Sequence, residues 1–170
     1  RPSMTGLFCD LLVRMAMLAV ITAPTASRNS SDTYPKNPGI DAINYAFRLE
    51  LSDTTDAIVG ELTLDLRFVA PGVQAVRLDL VNAGPTHGGK GMRVSGVTLD
   101  GTPVQFTHTN DVLRIPLASA PVVQQRARLV VRYAGTAATG LIIAPNKHGD
   151  RTFFSDNWPD RARNWLPTID

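Results

Sequence analysis

The sequence predicts an all-β domain: an antiparallel β-sandwich or saddle-like curved sheet of about eight or nine short strands. Three observations predict it. Apolar residues recur at every second position through most of the chain. Turn signals separate these runs at short intervals. No long stretch beyond the first residues shows the three-and-four spacing of an amphipathic helix. Alternate side chains of a strand face opposite sides, so period-two runs imply one buried face and one wet face.

The elements run in order along the chain. Residues 15–23 form an apolar run, preceded by Leu11, Leu12 and Val13 and interrupted by Arg14. A membrane-crossing helix needs about 20 apolar residues. This run is shorter and has the length of an export-signal core. The small residues Thr25, Ala26 and Ser27 supply a cleavage zone. Residues 1–27 are therefore read as a signal peptide, and the mature protein as exported. Residues 28–42 are polar and turn-prone (Ser30, Asp32, Pro35, Pro38, Gly39) and read as a linker. Asn29-Ser30-Ser31 matches a glycosylation sequon, which matters only in a eukaryotic secretory route.

The β-domain spans residues 43–155. Tyr45, Phe47, Leu49 and Leu51 alternate with Asn44, Arg48, Glu50 and Ser52. Leu62, Leu64, Leu66 and Phe68 alternate with Glu61, Thr63, Asp65 and Arg67. Val76, Leu78 and Leu80 come next, opposite Arg77, Asp79 and Val81. Ser52 to Asp56 and Ala70-Pro71-Gly72 are the intervening turns. Arg93 to Leu99 reads as a strand. Asp100-Gly101 is a hairpin signal between Val97–Leu99 and Val104–Phe106. Asn110-Asp111 leads into Val112–Leu117. Arg126–Tyr133 places Leu129, Val131 and Tyr133 on one face. Gly140–Ile143 and Thr152–Phe154 complete the set.

Composition excludes several classes. The chain has 170 residues, 44% of them apolar, which suffices for one domain with a core. Net charge is only +2, with Lys and Arg interspersed among Asp and Glu. No basic arm for nucleic acid and no acidic tail is present. A single cysteine, Cys9, allows neither an internal disulfide nor a Cys-rich zinc module.

Motifs for chemistry are sparse. Gly84 to Gly91 nearly fits a phosphate loop, but Gly91 stands where a magnesium-binding hydroxyl is needed. The residues after it read as a strand, whereas a phosphate cradle needs a helix N-terminus. His87, His108 and His148 share no ligand spacing and read as surface histidines. Glu61, Asp65 and Asp79 fall on the wet strand faces. No His-Glu-x-x-His and no Gly-x-Ser-x-Gly occurs. The residues themselves assign no catalytic group and no metal ligand.

The last twenty residues differ. Phe153, Phe154, Trp158 and Trp165 include both tryptophans of the chain, mixed with Arg151, Arg161, Arg163, Asp156, Asp160 and Asp170. Alternation ends after Ser155, and Pro159 and Pro167 force loop conformations on their neighbours. Two readings stand: the indoles cover the open end of the core, or they form a docking surface.

The stretch Phe153-Phe154-Ser155-Asp156-Asn157-Trp158-Pro159-Asp160-Arg161-Ala162-Arg163-Asn164-Trp165-Leu166-Pro167-Thr168-Ile169-Asp170 resembles a motif of the gluzincin zinc aminopeptidases, the family of aminopeptidase N and leukotriene hydrolase. Upstream, Asn44-Tyr45-Ala46-Phe47-Arg48-Leu49 and Val59-Gly60-Glu61-Leu62-Thr63-Leu64 are similar to its opening strands. Val131-Arg132-Tyr133-Ala134-Gly135 and Gly140-Leu141 resemble its late V-x-Y-x-G and G-L element. The likeness covers roughly residues 40–170.

The resemblance implies an N-terminal, non-catalytic β-domain that packs on a thermolysin-like catalytic domain and helps shape its active site. The zinc ligands, the general base and a Gly-x-Met-Glu-Asn loop belong to that later domain, so zinc is implied for a longer parent and none for this stretch. Zinc-assisted hydrolysis needs metal-bound water and a carboxylate base, so these residues alone are expected to be inactive. The resemblance also implies a contact from this domain to the free amino group of a peptide substrate, with Asp156 and Asn157 the nearest candidates and Trp158 close by. Trp158, Arg163, Trp165, Pro167 and Asp170 are read as the domain interface, within a junction spanning residues 156–170. The rival from another class is a free-standing β-sandwich binding or adhesion module with an aromatic surface patch.

Overall fold

The computed structural model describes residues 37–169. The leader 1–27, most of the linker and Asp170 lie outside the described residues. Among the described residues ten strands run in chain order: β1 (Ile40–Glu50), β2 (Ala57–Phe68), β3 (Ala75–Asp79), β4 (Gly91–Leu99), β5 (Thr102–Pro103), β6 (Thr107–Thr109), β7 (Val112–Pro116), β8 (Arg126–Thr136), β9 (Leu141–Pro145) and β10 (Arg151–Ser155). Short 3-10 turns cover Pro85–His87 and Arg161–Asn164. All strand pairs are antiparallel, in a five-stranded sheet β1-β2-β8-β4-β5, a three-stranded sheet β3-β7-β6 and a two-stranded hairpin β9-β10. The all-β expectation holds.

The period-two residues build the core. Leu62, Leu64 and Leu66 of β2 and Leu129 and Val131 of β8 are fully buried. They share one cluster with Val76 and Leu78 of β3 and Leu113 and Ile115 of β7, so the two larger sheets face each other across it. Each such aliphatic side chain contributes roughly 1.5–3 kcal/mol on burial. The outward residues of the five-stranded sheet pair across strands: Arg132 with Glu61 at 2.7 Å and Arg128 with Asp65 at 2.7 Å. Arg128 holds the Asp65 carboxyl below its ordinary pKa, chiefly by that hydrogen bond.

Several expectations need correction. Val104–Phe106 is not a strand but the connection between β5 and β6, in which only the Val104 N–H still reaches β4, at the Val97 carbonyl, 3.0 Å. Leu51 lies beyond β1 and is 45% exposed, since the turn to β2 begins there. Strand β1 begins at Ile40, inside the stretch read as linker. Asp79 is not on a wet face: it is 2% exposed, covered by the C-terminal segment that pairs with β3. Its Oδ1 accepts Arg77 Nη2 at 2.7 Å.

His87 and His108 are not plain surface residues either. His87 Nε2 lies 3.0 Å from Asp111 Oδ2, which ties the Pro85–His87 turn to the β6–β7 turn. His108 Nε2 meets the Leu80 carbonyl at 2.8 Å, and burial lowers its pKa from 6.5. The native state therefore favours neutral His108, whereas the unfolded chain protonates near pH 6.5. This contribution to stability is complete above about pH 6.5 and declines as pH falls below it. Urea unfolding at pH 7.5 and 5.5 is expected to show a smaller pH loss in His108→Gln than in the parent chain. An equal loss in both proteins counts against the assignment.

Tyr133 fills the space that a side chain at residue 60 would need. Gly60 sits opposite it on β2, and a Cβ there would overlap the phenol ring. The Tyr133 hydroxyl is buried without a hydrogen-bond partner among the described residues, and burial raises its pKa. An unpaired buried hydroxyl costs about 1–3 kcal/mol. Tyr133→Phe is thus expected to leave stability unchanged or raise it by about 1 kcal/mol in denaturant titration. A loss of that size would mean the hydroxyl has a partner.

Candidate functional site

The C-terminal fifth of the described chain forms one assembly. The β9–β10 hairpin pairs Phe153 with Ile143 and Phe154 with Ile142. Period-two geometry puts Arg151, Phe153, Leu141 and Ile143 on one face, all partly buried. The opposite face carries Ile142 at 47% exposure and Phe154 at 63%. Trp158 comes next at 80%, so three large apolar groups stand in solvent near one another in the chain.

The turn after β10 is held from several sides. The Asp156 N–H donates to the Gly140 carbonyl at 2.8 Å, closing the base of the hairpin. Arg161 Nη1 donates to Asp156 Oδ2 at 2.6 Å, with both side chains near two-fifths exposed. A carboxylate accepts up to about four hydrogen bonds. The Arg161 pairing therefore leaves Asp156 able to receive a further cationic donor. The Asn157 carbonyl accepts the Arg161 N–H at 3.0 Å, and its side-chain oxygen accepts the Trp165 indole N–H at 3.0 Å. Asn157 is thus a bracket for Trp165, while Asp156 keeps an accessible carboxylate.

The two tryptophans differ in exposure. Trp165 is 7% exposed and belongs to the core cluster. Trp158 points to solvent. Gly140 makes room for this arrangement. Its φ of +83° is a conformation glycine adopts readily, and an added Cβ would lie 2.7 Å from the Arg161 carbonyl oxygen.

Beyond Trp165 the chain locks onto the sheets. The Val81 N–H donates to the Arg163 carbonyl at 2.8 Å. The Arg163 side chain lies 3.5 Å from Asp160. Pro167 is buried. Asp79 and Thr168 exchange backbone hydrogen bonds of 2.7 and 3.1 Å, extending the β3 sheet by one bridge. The Ile169 N–H donates to the Tyr45 hydroxyl at 3.0 Å, so a β1 residue fixes the far end. Burial, partly offset by that bond, raises the Tyr45 pKa. Of the residues read as interface, Trp158 is exposed, Arg163 is partly exposed, and Trp165 and Pro167 are buried. Asp170 lies outside the described residues. Arg151, Gly140 and Arg161 also build the site, though the sequence offers none of them as a site residue: Arg151 and Arg161 stand there only among the cations of the terminal segment, and Gly140 as the first half of the Gly-Leu pair.

The donor chemistry here does not fit zinc. Among the described residues no group of three or more His, Cys, Asp or Glu side chains converges. His87 and His108 are engaged elsewhere, with Asp111 and Leu80. No helix among the described residues is long and apolar enough to cross a membrane.

No family model matches the chain, and no curated protein sequence matches it. Solved structures do. The M1 zinc metallopeptidase from Deinococcus radiodurans matches at 22% identity and a TM-score of 0.61, over 79% of this chain and 30% of that one. A two-domain M1 zinc metallopeptidase variant bound to L-tryptophan matches at 26% identity and a TM-score of 0.61, over 78% and 30%. Native leukotriene A4 hydrolase from Saccharomyces cerevisiae matches at 20% identity and a TM-score of 0.65, over 87% and 24%. The chain thus has the fold of part of these proteins and spans less than a third of their length.

Proposed function

We propose that this chain is the N-terminal β-domain of an exported zinc aminopeptidase of the M1 type, packed on a catalytic domain that holds the metal. The observation that carries the reading is the shared fold with M1 zinc metallopeptidases, with TM-scores above 0.6 across nearly four-fifths of the chain. The ordered motif likeness from Asn44 to Asp170 supports the same assignment. In this reading the Ile142, Phe154 and Trp158 face meets the catalytic domain. Asp156 then stands at the edge of the active site and receives the free amino group of a peptide, a charge-assisted hydrogen bond that distinguishes a chain end from chain interior. The domain binds and orients; it supplies no metal ligand and no general base. The leader exports the protein.

The test reads the parent gene past the codon for Asp170. The reading frame is expected to continue into Gly-x-Met-Glu-Asn and His-Glu-x-x-His. The longer polypeptide is expected to hydrolyse an aminoacyl chromogenic substrate and to lose that activity to a chelator. A stop codon at that point, in an intact gene, would favour the binding module. Metal-dependent hydrolysis by residues 1–170 alone would overturn the proposal.

A further inference from the structure

We propose that Arg151 is a positioning residue: it clasps the β9–β10 hairpin to the β1–β2 turn and so sets where the Asp156–Trp158 turn stands. The inference rests on the reading of that turn as the functional edge, but its test does not.

The hairpin needs such a tie. Strands β9 and β10 pair only with each other among the described residues, and a lone two-stranded hairpin is marginally stable in water. Arg151 opens β10 and its side chain reaches back about one hundred positions in sequence. Its Nε donates to the Ser52 carbonyl at 3.1 Å, and its Nη2 pairs with Asp56. Its guanidinium also lies over the Phe153 ring, 5.7 Å from the centroid. A planar fork of fixed donors suits this task, because one side chain meets a carbonyl, a carboxylate and a ring together.

The receiving turn is itself braced. Ser52 Oγ accepts the Thr54 N–H at 3.1 Å, and Thr55 Oγ1 accepts the Ala57 N–H at 3.2 Å. Arg151 therefore grips a turn that carries side-chain-to-backbone hydrogen bonds of its own. The other end of β10 runs directly into Asp156, whose N–H closes the hairpin base at Gly140. Movement of the hairpin relative to β1–β2 thus moves Asp156 and Trp158, and the clasp opposes it. The Arg151 side chain is 29% exposed, well below the 60% of its partner Asp56.

Hydrogen exchange on the whole chain tests this by mass spectrometry. In Arg151→Met, amides of 141–161 are expected to exchange about tenfold faster, while those of β2 and β8 stay as protected as in the parent. Asp56→Asn is expected to give a smaller acceleration, and the double variant no more than Arg151→Met alone. Arg151→Lys should recover part of the protection, since an ammonium keeps the charge but not the fork. The proposal fails if hairpin exchange is unchanged in Arg151→Met. It fails equally if β2 and β8 lose protection in parallel, or if the two single effects add. These outcomes do not depend on any catalytic domain downstream, so a failed clasp and a failed peptidase reading can be told apart.

Discussion

Gly135→Ala is expected to destabilise the domain by about 3 kcal/mol or more. A Cβ at residue 135 would overlap the backbone carbonyl of Gly91 and crowd the Met92 Cα. Both obstacles are main chain, held in the β4–β8 register where Met92 stands opposite Gly135. Neither can swing away as a side-chain tip can, so the two strands must part. Domains are stable by only about 5–15 kcal/mol, so this loss is a large share of the total. At about 3 °C per kcal/mol, the thermal midpoint should fall by about 10 °C. A midpoint within a degree or two of the parent would show that the strands do not approach this closely.

Trp165→Ala is the second large effect, expected at about 3–5 kcal/mol. The indole is part of the buried core, and its N–H satisfies the Asn157 side-chain oxygen. Removal leaves a cavity and an unpaired side-chain oxygen together. Trp165→Phe refills much of the volume but not the hydrogen bond, so it should cost about 1–2 kcal/mol. Trp158→Ala, by contrast, should change stability by no more than about 0.5 kcal/mol, because the side chain is 80% exposed. Denaturant midpoints of the three variants decide this order. Equal costs for Trp158 and Trp165 would contradict the division between core and surface.

Both positions separate what is legible in the chain from what is not. Strand alternation is local, so the inward faces of β2 and β8 can be read directly from spacing. The Asp100-Gly101 turn is local too, and both residues have positive φ, 49° and 80°, as a primed turn requires. Alternation alone puts Asp79 on a wet face, because its partner, Thr168, lies far along the chain and only the folded protein covers that face. His87 and Asp111 meet in the same way, across 24 positions. Tyr45 and Gly135 belong to the family-like motifs, yet their physical work emerges only in three dimensions. One hydroxyl anchors Ile169, and one missing Cβ lets β4 approach β8.

The candidate site is legible as a change in composition, not as a geometry. Two tryptophans so close in sequence look alike, yet one is core and the other surface. The difference comes from Asn157 and Gly140, which give Trp165 a hydrogen bond and a gap to enter. Arg151 is equally opaque in sequence, since its acceptors sit on the turn between two strands of another sheet.

Collisional quenching of Trp158 by iodide tests the proposed domain junction most directly. In residues 1–170 alone, the exposed indole should be quenched readily and the buried Trp165 hardly at all. In the polypeptide extended through the proposed zinc domain, Trp158 should become shielded. An indole at residue 158 that stays equally open to iodide in the extended protein would contradict the junction, because no neighbour would then cover this face.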